Sequence, residues 1–589
     1  MFFPHINPLS YGQIAKHVSI ICLFFVLSIF LTYPLILHIG SITSGTGDEL
    51  ILSYIQNFVV YAVFHHPLTL FNAPHFFPYI NSLAYSDSLI TSSLLLSIPA
   101  WVFHQPIAIH NITLLFSLTS LGWSIYFLVN YILKDRMLAV LSGTLVIFSP
   151  VILDKYVHVQ VLFIFLVPLS IYFFFRYLEE KKLKLLVFSL VCFDLQALNS
   201  FLPGYFIVFS LVTIFLVFYF LRRPKVKNYL SRKAIVTILL SLIVLVPFIF
   251  PYYQVANEFN YMRDIRDSIH FANQPEDFLY SNQFTKLSSF FNAIWRKDSY
   301  PNSISFKNGF PGIVLTGLVF TSIVFIFKNR KKLEYKILSF FSIACIGFIL
   351  SLGPFLHFAR QTIHHPFPIP LPYALFYYIL PGFNGMRNSA RWEVLFILGI
   401  SIGGVVVLSH ILKNYSTTIK VLIVGVLLGI TLGEYKPSIV FQNIPEVKNF
   451  PPEYTYISTI TDAKVIEMPA YNWNVFPYSG QEYIRQYYSI LGFKPRVNGV
   501  SGFSPPPWQN LVTNLLEVFP NEGSLATLKK LGVNTIIVHP QEYTMLHQNK
   551  LKIGNTHIST GENVIKVLDS SKNVRKIKSY SSAVIYKIN

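Results

Sequence analysis

Long apolar runs separated by short polar stretches dominate the first three quarters of the chain. Crossing the hydrocarbon core of a bilayer takes roughly 20 apolar residues in a helix, with about 17 as a lower limit. About eleven runs approach or exceed that length, so we predict about eleven membrane-spanning helices. The predicted spans are 18–37, 107–133, 137–153, 159–175, 183–198, 201–221, 234–252, 310–327, 337–352, 392–412 and 419–432.

The run 89–103 is short and carries Pro99 near its end. Lys and Arg concentrate in the cytoplasmic loops of membrane proteins. If this run does not cross, all the later basic clusters fall on the same face as the N-terminus, whereas a crossing would move the first of them to the opposite face. We therefore predict that 89–103 lies in the membrane interface and that the N-terminus is cytoplasmic.

This topology places four segments outside, and the first of them contains no Lys or Arg. Within that first segment, apolar residues recur at helical spacing over 50–64 with polar residues between them, which predicts a helix that lies along the membrane surface. The external segments are the loops 40–106, 253–309 and 353–391 and the short turn 154–160.

After Leu432 the apolar runs shorten and charged residues return. Strand-like runs at 464–469, 534–539, 563–568 and 583–588 alternate with helical patterns at 508–518 and 524–531, which predicts a small α/β domain. The predicted fold class is a mostly α polytopic membrane protein. Residues 1–433 form its transmembrane domain, and residues 434–589 form a soluble extracytoplasmic α/β domain.

Composition supports the membrane class and narrows the partners. Hydrophobic residues make up 53% of the 589 and charged residues only 12%, whereas soluble proteins are about one quarter charged. The net charge of +19 lies largely in short loops, so we interpret it as a signal for membrane orientation and not as a nucleic-acid surface.

The three cysteines are far apart within apolar runs, without metal-site spacing. The first apolar run has no cleavage pattern after it and predicts a retained helix.

Two acids open the polar stretch after the first span. Asp48 and Glu49 follow the small residues SGTG at the predicted start of a helix. One interpretation is a helix cap, since a helix N-terminus favours negative charge. The other is catalytic, with one carboxylate taking a proton from an acceptor hydroxyl as general base. Asp87, in AYSDS, is a second acid of that site, a group that orients the acceptor, or a cap for the next helix.

Other polar side chains lie at the outer ends of spans. Lys155, His158 and Gln160 occupy the short external turn 154–160, where polar groups face either lipid headgroups or a shared cavity. Arg387 and Arg391 are four residues apart before the span 392–412 and would share a helical face. Guanidinium groups match phosphate oxygens bidentately. Recognition of a phosphorylated lipid and snorkelling to ordinary headgroups both fit the two arginines.

Five stretches carry a family resemblance. FNAPHFFPYINSLAYSDSL, HVQVLFIFLVPLSIYFFFRYL, LPGFNGMRNSARWEVL, RVNGVSGFSPPPW and LKKLGVNTIIVH are similar to stretches of large prokaryotic membrane proteins assigned to the GT-C superfamily of polytopic glycosyltransferases. An acid just after the first span, helices in the first external loop and a C-terminal external domain also resemble that superfamily.

The resemblance implies that a sugar passes from a polyprenyl-phosphate donor to a cell-envelope glycan, lipid or protein at the outer face of the cell membrane, with inversion at the anomeric carbon. It implies that the first-loop acid, Asp48 or its neighbour Glu49, is the base. Some relatives use a divalent cation, Mg or Mn, near this acid, and the sequence leaves that requirement open. Arg387, Arg391 or Lys155 would stabilise the phosphate leaving group. With His158 and Gln160 they form the predicted donor-binding set of five residues.

Two other functions compete with sugar transfer. A transporter or flippase of lipid-linked saccharides would show inverted repeats with interrupted helices, and the sequence shows no convincing pair. A catalytically inactive relative would bind envelope glycans through its C-terminal domain, where aromatic residues can stack on sugars or pack in the core. Those aromatic residues are Tyr471, Trp473, Tyr478 and Trp508.

Overall fold

The computed structural model describes residues 11–280, 282–288, 290, 309–329, 334–358, 361–364, 366–475, 477–553 and 556–589. Residues 291–308 of the predicted external loop 253–309 lie outside the described residues. The chain divides into two compact units. The membrane unit comprises residues 1–36, 113–246 and 262–439, and the loop unit comprises residues 37–112, 247–261 and 440–589.

Apolar helices build the membrane unit, because a helix satisfies all of its own backbone hydrogen bonds in lipid. Two helices, Ile107–Leu133 and Arg232–Glu258, run from one unit into the other. Within the described residues, the other α-helices of the membrane unit are Tyr11–Thr32, Arg136–Ile147, Pro150–Leu153, Val159–Leu162, Leu166–Glu180, Leu183–Asn199, Phe201–Arg222, Ile265–His270, Ile313–Asn329, Tyr335–Ser351, Pro372–Ile379, Glu393–Ile411 and Thr417–Glu434. A short hairpin pairs His357–Phe358 with Gln361–Thr362.

Among the described residues, 6 helical stretches are long and apolar enough to cross a membrane. They are Ile107–Leu133, Val159–Glu180, Phe201–Arg222, Arg232–Glu258, Ser389–Asn414 and Thr417–Glu434. Four of the shorter apolar helices, namely His17–Thr32, Arg136–Ile147, Ile313–Asn329 and Tyr335–Ser351, also fall on predicted spans. The chain is therefore a mostly α polytopic membrane protein, and the number of its crossings stays a prediction.

The predicted span 137–153 is wrong as a single helix. The helix Arg136–Ile147 ends before Ser149, whose backbone is extended at ψ 128°, and a new short helix begins at Pro150. Proline has no N–H to donate and disfavours the helical conformation in the residue before it. The apolar run continues past this break, so hydropathy alone does not show it.

The helix Ile90–Trp101 covers most of the run predicted to lie in the interface. Its 12 residues extend about 18 Å, which is too short to cross. One face is exposed and apolar, with Ile98 78% and Trp101 73% exposed, while Ser92 and Leu96 are buried. This division into two faces suits a helix half embedded in headgroups. Its location in the membrane interface stays a prediction.

The loop unit joins the first external segment to the C-terminal part of the chain. The helix Asp48–His65, named here the first-loop helix, packs against the helices Ile90–Trp101 and Gln481–Tyr488. The strand Ile42–Thr43 pairs antiparallel with Gln442–Asn443. Most side chains of the first-loop helix are buried in these contacts, and its orientation along the membrane surface stays a prediction. Its partners lie far away in sequence, where periodicity gives no information about them.

A four-stranded sheet forms the centre of the C-terminal part, in the order Val465–Met468, Thr535–Val538, Val584–Ile588 and Val574–Ser579. The first two strands are parallel and the other neighbours are antiparallel. A short hairpin pairs Lys552–Ile553 with Thr556–His557. The helices of this part are Pro452–Thr459, Gln481–Tyr488, Pro506–Val518, Glu522–Lys530, Pro540–Gln548 and Gly561–Ser570.

The α/β class predicted for this region is confirmed, and so are the strands predicted at 464–469, 534–539 and 583–588. The strand predicted at 563–568 is wrong, because those residues lie in the helix Gly561–Ser570. Thr560 caps this helix by accepting a hydrogen bond from the Asn563 N–H. Val564 and Leu568, four residues apart, form its buried face.

A cluster of buried charges surrounds Glu467 in the first strand of the sheet. An Nη atom of Arg496 lies 2.9 Å from one carboxylate oxygen of Glu467. Arg485 forms ion pairs with Glu482 at 3.2 Å and with Glu542 at 2.7 Å. Both arginines and Glu467 are at most 3% exposed in their side chains. Buried charges are costly unless paired and hydrogen-bonded, so this cluster depends on all of its members.

Both carboxylate oxygens of Glu467 have partners. Its second carboxylate oxygen accepts a hydrogen bond from the Tyr454 hydroxyl at 2.7 Å and lies 3.2 Å from Nε2 of His539. Burial alone would raise the pKa of Glu467, but the Arg496 guanidinium and the hydrogen bond with His539 lower it to about 2. Glu467 is therefore ionised in the folded protein at neutral pH.

Candidate active site

Asp48 is the first residue of the first-loop helix, and Gly47 is its cap. Asp48 is therefore not the N-cap residue, and the cap interpretation is wrong because Asp48 lies one residue inside the helix. Its side chain is half-buried. The N–H groups at a helix start point toward this position, and the helix dipole favours a negative charge there. The carboxylate is thus held at a fixed place and is partly open to solvent.

Glu49 is more deeply buried than Asp48. It is 3% exposed, and one carboxylate oxygen accepts a hydrogen bond from the Ser44 hydroxyl at 3.0 Å. The same carboxylate fills the space left by Gly45, where a Cβ atom would lie 2.6 Å from it. Burial raises the pKa of Glu49 above its usual value. Glu49 therefore fastens the loop, which leaves Asp48 as the more accessible of the two acids.

The loop before the first-loop helix is fixed by a residue that the sequence did not single out. Asn111 Nδ2 donates hydrogen bonds to the carbonyl oxygens of Ile39 and Ile42, both at 2.8 Å. The strand Ile42–Thr43 is also paired on its other side. The start of the helix is thus anchored at two points within the loop unit. An asparagine inside an apolar helix was the available signal for this role.

Asp87 is half-buried and lies close enough to Tyr252 for an electrostatic interaction. The Tyr252 hydroxyl donates to the carbonyl oxygen of Ser86 at 2.9 Å. The next helix is capped by Leu89, not by Asp87. The cap interpretation of Asp87 is therefore wrong, and its role as a second acid stays a prediction.

Lys155 in the membrane unit is bound to two acids. Its Nζ lies 2.8 Å from a carboxylate oxygen of Glu393 and 3.2 Å from one of Asp154. The other oxygen of Glu393 accepts a hydrogen bond from Asn273 Nδ2 at 2.7 Å. Burial opposes the charged form, but the two carboxylates raise the pKa of Lys155 above its usual value. Lys155 is therefore a permanently charged residue of a buried network, and the sequence did not identify Glu393 as its partner.

His158 lies among positive charges in the same unit. Burial, and then the charges of Arg391 and Lys155, hold the pKa of His158 well below its usual value. Arg387 contributes to the same effect and lies with its guanidinium 4.8 Å from the centre of the Phe271 ring. His158 is thus a neutral imidazole at pH 7, able to share hydrogen bonds but not to add charge.

The structure therefore brings together four of the five residues predicted to bind a donor phosphate. Arg387 is exposed and Arg391 is half-buried, so guanidinium groups are the open cations of this cluster. Gln160 lies in the short helix Val159–Leu162 and is 7% exposed, and its Oε1 has no hydrogen-bond partner among the described residues. The role of Gln160 toward a donor stays a prediction.

The two partners of Lys155 allow a matched test. Glu393→Gln removes the buried partner, 4% exposed in its side chain, and leaves Lys155 with only the partly exposed Asp154, so we expect a loss approaching about 3–5 kcal/mol in unfolding free energy. Asp154→Asn removes the other partner, 45% exposed, and should cost at most about 1 kcal/mol. Thermal unfolding in one detergent compares the variants. Equal melting temperatures would contradict the structural role of Glu393.

The described acids do not build a divalent-cation site from protein side chains alone. Among the residues that the structure describes, no group of three or more His, Cys, Asp and Glu side chains could hold a metal ion. Glu49, the neighbour of Asp48, already accepts a hydrogen bond from Ser44. Mg and Mn prefer several oxygen ligands around one ion. No step of the chemistry proposed below is therefore assigned to a cation.

No protein-family model matches the chain, and a search of curated proteins finds no match. Solved structures do match. The arabinofuranosyltransferase AftD from Mycobacteria superimposes with a TM-score of 0.56 at 12% identity over 97% of this chain. The chain spans only 41% of the length of AftD. The likeness to AftD shows a shared fold.

Two further structures match less well. The oligosaccharyltransferase of Archaeoglobus fulgidus has a TM-score of 0.48 at 12% identity, covering 91% of this chain and 71% of that protein. ArnT from Cupriavidus metallidurans has a TM-score of 0.37 at 10% identity, covering 98% of each chain.

Proposed function

Since the chain has the fold of the GT-C glycosyltransferases, we propose that it is a membrane glycosyltransferase with Asp48 as general base. The observation that carries the proposal is the position of Asp48. It is a half-buried acid fixed at the start of the first-loop helix, whereas its neighbour Glu49 is occupied by Ser44. A base must be held in place and still be reachable by the hydroxyl that it deprotonates.

The proposed reaction moves a sugar from a polyprenyl-phosphate donor to a hydroxyl of a cell-envelope glycan, lipid or protein. Asp48 takes the proton of the acceptor hydroxyl. The hydroxyl oxygen then forms a bond to the anomeric carbon, and the bond from that carbon to the phosphate oxygen breaks. Polyprenyl phosphate leaves with the electron pair, and the configuration of the sugar is inverted.

The leaving phosphate needs positive charge as the bond breaks. In the membrane unit, the guanidinium groups of Arg387 and Arg391 are suited to this, because they can donate two parallel hydrogen bonds to phosphate oxygens. Lys155 is held by Glu393 and Asp154, so it would support the cluster and not grip the phosphate. His158, as a neutral imidazole, would donate or accept a single hydrogen bond.

The reaction would take place at the non-cytoplasmic face of the cell membrane. Asp48 follows the first predicted span, and the stretch from Lys16 to Lys134 contains no other Lys or Arg, as expected of an external loop. The C-terminal part would lie on the same side. The polyprenyl tail of the donor would remain among the apolar helices.

Proteoliposomes containing the purified protein test this function. They receive a panel of polyprenyl-phosphate sugars labelled with tritium in the sugar, together with a solubilised envelope fraction as acceptor. We expect one donor to lose its label to the acceptor and to yield free polyprenyl phosphate. Labelled donor that moves to the other leaflet without losing its sugar would show a flippase. If every donor keeps its sugar in the presence of the acceptor, the protein is not a transferase. Either result would contradict the proposal.

The same assay tests the role of the arginines. Arg387→Ala should raise the donor KM at least about tenfold, because a hydrogen bond to a charged group contributes about 1.5–3 kcal/mol. Arg266→Ala is the control, since Arg266 lies in the preceding external loop and is 87% exposed. An unchanged KM in Arg387→Ala would remove Arg387 from donor binding.

A further inference from the structure

Trp473 is an exposed tryptophan on an otherwise well-packed region of the loop unit. Its side chain is 49% exposed, whereas Trp508 of the same region is 1% exposed and donates its indole N–H to the Val497 carbonyl oxygen at 2.7 Å. Tyr471 is also 1% exposed. Tyr471 and Trp508 are therefore packing residues, and Trp473 is the aromatic residue offered to a ligand.

The two residues before Trp473 anchor the backbone that carries it. The Tyr471 N–H donates to a carboxylate oxygen of Glu482 at 3.1 Å, and the Tyr471 hydroxyl donates to Glu542 at 2.7 Å. Asn472 donates through Nδ2 to the Thr513 hydroxyl at 2.7 Å. The segment that carries Trp473 is thus tied to the buried charge cluster and to the helix Pro506–Val518. An exposed aromatic ring on an anchored backbone loses little entropy on binding.

Tyr483 links Trp473 to the candidate base. The two rings meet edge to face at 5.9 Å. On its other side, Tyr483 approaches the residue before Asp48, because a Cβ atom built on Gly47 would lie 3.9 Å from the Tyr483 ring. Trp473 and Tyr483 line one depression with Asn472, Ser479 and Glu482. The ring surface of Trp473 and Tyr483, with these three polar residues buried beneath it, therefore adjoins the start of the first-loop helix.

The position in the fold also suits a ligand. Trp473 follows the strand Val465–Met468, which is parallel to its neighbour Thr535–Val538. Ligands of α/β folds commonly bind beyond the carboxyl ends of parallel strands. The loop that leaves this strand thus carries Trp473 to the edge where binding residues of such folds are found.

We infer that Trp473 and Tyr483 form a stacking surface for a sugar ring of a saccharide acceptor, which they hold beside Asp48. The C–H groups of a sugar ring present an apolar, weakly positive face that fits the negative face of an indole. This inference rests on the proposed function and narrows its acceptor from glycan, lipid or protein to a saccharide.

The full-length protein in lipid nanodiscs, carrying a fluorescent label, is applied to a printed array of lipid-free microbial envelope oligosaccharides. We expect the wild type to bind at least one of them. Trp473→Ala should weaken that binding about tenfold or more, while Trp473→Phe stays within about threefold because the ring is kept. The control is Tyr415→Ala, since Tyr415 is comparably exposed at 51% but lies in the membrane unit.

Three outcomes overturn the inference. In the first, the wild type binds no saccharide, and in the second, Trp473→Ala binds as well as the wild type. In the third, brominated phospholipids quench a component of the wild-type tryptophan emission that is absent from Trp473→Phe. The last would show that Trp473 contacts lipid. If Trp473→Ala folds poorly, tryptophan fluorescence gives the test instead. The emission of the wild type should shift when the saccharide binds, and this shift must be absent from Trp473→Phe.

Asp48→Asn separates the two proposals, because it should bind the array normally while transferring no sugar. Binding through Trp473 without transfer by the wild type would refute the transferase alone.

Discussion

Asp48→Asn is expected to lower kcat for sugar transfer about 100- to 10,000-fold, the contribution typical of a general base. Asparagine keeps the size of the side chain and its place at the first position of the helix, but it cannot accept the proton of the acceptor hydroxyl. Donor binding should be unchanged, because Asp48 has no role in holding the phosphate. Initial rates in the proteoliposome assay and the donor KM measure the two effects separately.

Glu49→Gln is the matched control for this variant. The neighbouring acid is buried and hydrogen-bonded to Ser44, and burial already disfavours its charged form. A neutral amide should therefore be tolerated, with kcat within about tenfold of the wild type. If Glu49→Gln abolished transfer and Asp48→Asn did not, the base would be Glu49. Wild-type rates in both variants would exclude a first-loop base altogether.

Glu467→Gln is expected to destabilise the C-terminal part by about 3–5 kcal/mol, since it leaves the buried Arg496 with only the more distant Glu482, at 3.7 Å, as an ionic partner. The side chains of both residues are 2% exposed.

The folded wild type should also lose stability in acid. The pKa of Glu467 is about 2 in the folded protein against an ordinary value of 4.5. Its stabilisation is therefore complete above pH 4.5 and is lost as pH falls toward 2.

The control for this variant is Asp569→Asn. Asp569 forms an ion pair with Lys576 in the same region, with both side chains about 40% exposed, and such pairs contribute at most about 1 kcal/mol. Thermal unfolding at pH 7 and at pH 3 compares the variants. The predicted gap between Glu467→Gln and the wild type is large at pH 7 and smaller at pH 3. A gap that grows at pH 3 would contradict the assigned charge state.

The membrane helices and most of the sheet were predictable, because an apolar run of span length and a short β-branched run between turn residues each have few structural solutions. The errors have local and non-local causes. Over 563–568, Val564 and Leu568 are the buried pair of a helix, yet the run of β-branched residues is equally typical of a strand. The first-loop helix was assigned its correct type, but its burial depends on the distant helix Gln481–Tyr488.

The candidate site shows the same division. The residue types suggested an external acid and a phosphate-binding cluster, and the structure brings Lys155, His158, Arg387 and Arg391 together. The sequence did not indicate that Glu393 holds Lys155, because an acid in the first turn of a helix is also typical of ordinary dipole stabilisation. Similarly, only packing separates the exposed Trp473 from the buried Trp508.

The central claim is that the acid of the first loop works at the non-cytoplasmic face, and single-cysteine labelling tests it most directly. The native Cys22, Cys192 and Cys345 are first replaced by serine. Thr46→Cys then places a thiol at an exposed position two residues before Asp48, and Tyr415→Cys places one in a loop predicted to be cytoplasmic. In intact cells, a membrane-impermeant maleimide should label Thr46→Cys at once and Tyr415→Cys only after permeabilisation. Labelling of Thr46→Cys only after permeabilisation would contradict sugar transfer at the outer face.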